Sequence, residues 1–313
     1  MNQTISTTSP NHDATSNWLG RMPLPLLEAA LVICWSSGFI GARFSIDYAP
    51  AMLVVFWRCV LVSLILLPFV IKALRRATLG VLLENTGIGL LAMAGYVYGV
   101  TLGIEEGVPA GLAALLADLL PIGMALLSTV VLRQRLASRV WLGLAVGLAS
   151  VLLVTHDALA WGRAPLWSYG LPLLGMLSLA IATLWRRQRP HTANALGLLP
   201  NLWLQCCISG IAFAAIAGTE GSLLPIASTG FALSVLWTAG LATLGGYGLY
   251  WLCLKRSSPT RVASVLYLSP AVTLLWAWAM FDEPLSWLMV LGTAVSAAGI
   301  WMVVRADDES ATH

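Results

Sequence analysis

Residues Val54–Val70 read VVFWRCVLVSLILLPFV. Seventeen residues pass with a single charge, Arg58, near the middle. About 20 such residues cross a bilayer core as a helix. A lipid-facing arginine at that depth is costly, so intramembrane charges face the bundle interior and find partners there. The stretch therefore predicts a membrane helix whose inner face carries an arginine.

The rest of the chain agrees. Of 313 residues, 58% are hydrophobic and only 10% charged, against roughly a quarter charged in soluble domains. Ten apolar spans follow one another, over 24–42, 50–71, 82–104, 108–132, 139–155, 166–185, 194–217, 230–254, 260–281 and 285–304. Residues 1–23 are polar and rich in Ser, Thr and Asn, which predicts a disordered tail. They lack the basic start and apolar middle of a signal peptide. Residues 306–313 form a second tail. The five cysteines all fall inside apolar runs, without a CxxC pair, and read as small apolar packers.

Basic residues fix the expected orientation. Fourteen of the seventeen Lys and Arg residues fall at one set of span ends, from Arg21 through Arg75, Arg133, Arg186 and Arg256 to Arg305. Only Arg43 and Arg163 fall at the other. The positive-inside rule makes the crowded face cytoplasmic and places both termini there. The net charge of +3 is thus a topology signal and does not point to nucleic acid.

The chain also repeats. With Pro121 set over Pro270, an offset of 149 aligns Leu119 with Leu268, Leu136 with Leu285 and Gly143 with Gly292 without a gap. This predicts an all-α membrane protein of ten helices in two halves, 24–155 and 166–305. Five is odd, so the second half enters from the opposite side. Inverted repeats of this kind are typical of secondary transporters, whose substrate site lies near the midplane.

Two stretches resemble a known family. CWSSGFIGARFSIDYAPAMLVVFWRCVLVSLILLPF (Cys34–Phe69) is similar to the first helix pair of the EamA group in the drug/metabolite transporter superfamily. SPTRVASVLYLSPAVTLLWAWAMFDEPLSWLMVLGTAVSAAGIWMVV (Ser258–Val304) resembles its last pair, with Glu283 as the acidic turn residue. The first half departs from the pattern, with RQR at Arg133–Arg135 where the family often has an acid. The resemblance implies efflux of small metabolites, amino acids or related compounds first, across a bacterial inner membrane. The same superfamily makes a lipid-carrier flippase plausible, and static sequence leaves import open.

Six residues are candidates for substrate or coupling roles: Arg58, Asp118, Tyr267, Asn201, Gln205 and Trp35. Arg58 lies about 12 Å into its span and Asp118 about 15 Å into the fourth, from the same side. Asp118 sits on a stripe of small residues, Gly111, Ala114, Pro121, Ala125 and Ser128, so it faces protein. Arg58 could bind a substrate carboxylate while Asp118 holds it or carries a coupled proton. Equally, the two could form a bridge that only fixes packing, or Arg58 could reach backbone carbonyls without Asp118. Asn194, Asn201, Gln205 and Ser209 share one face of span seven and suit either a polar solute or interhelical hydrogen bonds. Tyr267 is the counterpart of Asp118 under the repeat offset. Trp35, beside Ser36, Ser37 and Gly38, could line a cavity or pack a helix crossing. Tyr96, Tyr98, Tyr247 and Tyr250 suit a cavity wall or an interface anchor. Glu28 lies about 6 Å inside its span, shallow enough to meet water or a loop arginine. Glu105, Glu106, Asp282 and Glu283 sit at turns and are expected to be solvated.

Motifs of other classes are missing. The sequence has no GxxxxGK[ST] phosphate loop, no HExxH and no GxSxG, and its four histidines lie in tails or loops. No cofactor, metal or enzymatic chemistry is expected. The expected partners are a small solute, the lipid bilayer and, for a coupled carrier, protons.

Overall fold

The computed structural model describes residues 22–133, 164–188, 196–257 and 259–311, with 141–143, 145–146 and 148–149 between them. The described residues contain helices and no strand. They form α1 (Leu24–Ser45), α2 (Ala51–Leu74), α3 (Leu79–Glu105), α4a (Ala110–Ala117) and α4b (Leu120–Leu132). Then come α5 (Gly170–Arg187), α6 (Leu198–Glu220), α7 (Thr229–Arg256), α8a (Pro259–Leu266), α8b (Ser269–Phe281) and α9 (Trp287–Ala311).

Among the described residues seven helices are long and apolar enough to cross a membrane: α1, α2, α3, α4 taken across its break, α5, α6 and α7. Ser269–Phe281 and Trp287–Ala298 are shorter apolar helices. The fifth expected span, 139–155, lies largely outside the described residues. The helices turn large apolar side chains outward, among them Leu64, Phe69, Val130 and Ile211. Contiguous exposed apolar surface of that kind belongs against lipid. The chain is an all-helical membrane protein.

Two expected continuous spans are broken. α4 is interrupted at Asp118–Leu119 and α8 at Tyr267–Leu268. The cause is Pro121 and Pro270, each at the second position of the helix that follows. Proline has no N–H for the carbonyl four residues back, and its ring crowds that carbonyl. The C-terminal helix also runs on to Ala311, where the sequence suggests a tail from 306.

The broken helices repeat at the offset read from the sequence. α8a and α8b begin and end 149 residues after α4a and α4b. Arg133 and Asp282, also 149 apart, close α4b and α8b in the left-handed region, at φ 53° and 51°. Inside α3 the backbone widens to a π-helix over Leu90–Gly95, and inside α7 over Thr238–Gly245. The centres of these two segments again stand 149 residues apart.

Small residues allow the closest contacts. In α3 the faces of Gly99 and Gly103 lie on α5, where a Cβ at Gly99 would come 2.8 Å from the backbone nitrogen of Gly175. A Cβ at Gly111 would overlap Leu274 of α8b. Gly99, Gly103 and Gly111 thus mark helix crossings, whereas Gly107 lies in the turn before α4a with φ 98°. Among the described residues four buried clusters fill the interior, two of them large. One joins Phe39, Ile40, Ile104, Leu115, Met176 and Met289. The other joins Met52, Val62, Met93, Leu202 and Phe213 between α2, α3 and α6. Cys59, Cys206 and Cys253 are buried and all five cysteines are free.

Two carboxylates expected at solvated turns are instead structural. Pro50 and Pro109 precede α2 and α4a and offer no side-chain cap. The Ala51 N–H donates to Glu105 Oε1 at 3.0 Å, and the Ala110 N–H donates to Glu283 Oε2 at 2.9 Å. A helix N-terminus carries unpaired donors and partial positive charge, so an acid from a distant turn satisfies both. Glu283 is only 8% exposed and also lies 3.5 Å from Arg43 Nε. Arg43 in turn sits over the Phe281 ring and pairs with Asp47. Glu28 does meet an arginine: Arg261 of α8a grips its buried carboxylate at 2.6 and 3.0 Å.

Candidate functional site

Arg58 projects from α2 into a cavity of about 80 Å3 between α1, α2, α3 and α7. Its Nε donates to Thr243 Oγ1 at 2.7 Å, and that hydroxyl donates to the Thr238 carbonyl at 2.8 Å. Thr243 lies in the π segment of α7, whose wider turn lets its hydroxyl bond the carbonyl five residues back. The α3 π segment supplies Ala92 and Met93 to the opposite wall. π-bulges inside helices are frequent at functional sites. Here the cavity lies between two of them.

The walls are aromatic. Trp35, Phe39, Tyr96 and Tyr247 line the cavity. The Trp35 ring centroid lies 6.1 Å from that of Tyr247 and 6.2 Å from that of Tyr250. Arginine presents a planar fork of donors that matches a carboxylate. Aromatic faces accept apolar groups, and they attract cations. The cavity can thus hold a small molecule with an acidic end and an apolar or amino part.

The six sequence candidates part company. Arg58 and Trp35 share this cavity. Asp118 and Tyr267 share another, of about 10 Å3, with Leu115, Pro270, Thr293, Ser296 and Ala297. Among the described residues Arg58 and Asp118 form no ion pair, and they line separate cavities. Similar depth does not make them meet, because depth fixes height along the bundle and leaves the helix faces unset. Asn201 accepts from Arg186 Nη2 at 3.3 Å near a span end. Gln205 is buried against Gly89 of α3, where a Cβ would come 2.9 Å from its Cγ. Neither amide lines the Arg58 cavity. Asn194 lies outside the described residues.

The sequence reading left out Thr243 and both π segments. One signal was available: AMAGY (92–96) and LGGYG (244–248) place small residues and a tyrosine at similar points of the two halves.

Known proteins place the chain. The EamA-like transporter family matches residues 25–156 and again 166–305. A probable amino-acid metabolite efflux pump of Escherichia coli K12 is 24% identical, over 89% of this chain and 94% of its own length. The uncharacterized inner membrane transporter YedA of the same organism is 27% identical, over 88% of this chain and 90% of its own. A crystal structure with a TM-score of 0.59 and 16% identity covers 89% of this chain and 95% of its own, and shares the fold. Two family matches, one on each half, account for most of the 313 residues, and the chain belongs to the EamA-like transporter family.

Proposed function

We propose that this protein is a secondary transporter that exports amino acids or related small carboxylates across the cytoplasmic membrane by alternating access. Its architecture in this reading is ten spans in two inverted five-helix halves, with both termini cytoplasmic. The recurrence of both helix breaks and both π segments at one offset supports two halves of like structure. The excess of Lys and Arg at one set of span ends supports the orientation.

One observation carries the function: Arg58 faces a small aromatic-walled cavity between the two π segments. Its volume of about 80 Å3 is well below the roughly 300 Å3 at which pockets take drug-sized ligands. That favours a small solute over a lipid-linked carrier. In this mechanism Arg58 leaves Thr243 for the solute carboxylate, Trp35, Tyr96 and Tyr247 hold the remainder, and the halves rock around it. The likeness to a probable amino-acid metabolite efflux pump supports the substrate class.

Proteoliposomes loaded with labelled amino acids and related metabolites test this. Native protein is expected to release at least one of them, and Arg58→Ala to release none while remaining folded in detergent. Normal release by Arg58→Ala would remove Arg58 from the solute site.

A further inference from the structure

The small cavity at the two helix breaks has its own chemistry. Asp118 ends α4a, and Tyr267 stands at the matching place after α8a. Asp118 Oδ2 is shut off from solvent and finds no hydrogen-bond partner among the described residues. Ser296 Oγ of α9 lines the same cavity, is 1% exposed and is likewise unpartnered. Thr293 Oγ1 donates to the Met289 carbonyl and keeps its lone pairs for another contact. Pro121 and Pro270 leave the carbonyls of Ala117 and Leu266 without their usual helical donors. Both carbonyls belong to helix C-termini, which carry partial negative charge. The polar side chains lining this space are thus one carboxylate and three hydroxyls, at the broken ends of two helices.

Such a set attracts positive charge. It holds one carboxylate, and among the described residues no group of three His, Cys, Asp or Glu side chains surrounds a metal-sized space. A divalent ion gathers about six to eight oxygens, its retained waters included, and needs more room. A volume of about 10 Å3 corresponds to one water-sized occupant. Broken membrane helices whose unwound carbonyls face a cavity suit Na+ or H+.

We propose that this cavity is a monovalent-cation site in which Asp118 supplies the charge and Ser296 a neutral oxygen, and that its cation, a proton or a sodium ion, is coupled to movement of the solute at Arg58. The step is association only: a proton from water joins the Asp118 carboxylate, or a sodium ion exchanges its waters for these oxygens. Position supports coupling, because the site lies at the two points where α4 and α8 are already interrupted. The other titratable group lining the cavity is Tyr267. The coupling half rests on the transport reading above; the binding half does not.

Two measurements separate them. Infrared difference spectra of purified protein in lipid, across pH and with Na+ added at fixed pH, need no solute. A carboxyl band that answers to pH assigns a proton, and one that answers to Na+ assigns sodium. Either is expected to vanish in Asp118→Asn. A spectrum unchanged by Asp118→Asn under both conditions overturns the site. Should that variant not fold, Ser296→Ala is expected to move the midpoint of the response about threefold to tenfold, and an unmoved midpoint overturns the proposal. In proteoliposomes a pH or Na+ gradient is expected to accelerate native flux about tenfold. Flux indifferent to both gradients overturns the coupling. A Asp118 band in a protein that moves none of these solutes retires the transport reading and keeps the cation site.

Discussion

Arg58 and Thr243 meet across 185 residues, with guanidinium Nε donating to hydroxyl Oγ1 at 2.7 Å. The pair joins α2 to the π segment of α7 and sets the direction of the only charged side chain in the aromatic cavity among the described residues. Removing the hydroxyl leaves a half-buried charged donor without its partner in the empty cavity, which costs that state about 1–3 kcal/mol. Because Arg58 gives up this bond to the solute carboxylate, Thr243→Val is expected to lower the KM for exported solute, by up to about tenfold, with a smaller effect on maximal rate. Initial rates against solute concentration check this.

Glu283 caps α4a from the far half of the chain. Losing an N-cap costs about 0.5–2 kcal/mol. Glu283→Ala is expected to lower the melting temperature in detergent, and Glu283→Gln, which keeps an oxygen for the Ala110 N–H, to lower it less. Equal losses would mean that the neighbouring Arg43 charge matters more than the cap.

The bridge between Glu28 and Arg261 is asymmetric, because Glu28 is buried and Arg261 about half exposed. Removing the arginine strands a buried carboxylate, whereas removing the carboxylate frees an arginine that reaches water. Arg261→Ala is expected to destabilise more than Glu28→Ala, and the double variant to resemble Glu28→Ala. A thermal double-mutant cycle checks the order.

Gly99 and Gly80 offer a contrast within one helix. A Cβ at Gly99 would press on the backbone of α5, and backbone cannot give way as a side chain can. A Cβ at Gly80 meets nothing within 4 Å. Gly99→Ala is expected to cost about 1–3 kcal/mol from overpacking. Gly80→Ala is expected to be neutral or to stabilise by up to about 1 kcal/mol. Melting temperatures of the two variants side by side provide the check.

The sequence by itself determined the class, most of the spans and the repeat, because these depend on local quantities. Lipid demands long apolar runs, and proline breaks a helix wherever it falls, so Pro121 and Pro270 carry the offset of 149 in plain sight. It also picked out Arg58 and Trp35, since charge or aromatic bulk at depth needs a reason. It could not decide partners. Arg58 and Asp118 share an expected depth, yet Arg58 turns to Thr243 while Asp118 lines a separate cavity with Ser296 and Tyr267. Which face a helix presents to which neighbour is set by packing over the whole bundle, through contacts such as Gly99 on Gly175 and Gly111 on Leu274. The π segments were hidden for the same reason. A widened turn leaves the apolar pattern nearly unchanged, and only the tertiary structure shows that two such turns face one cavity.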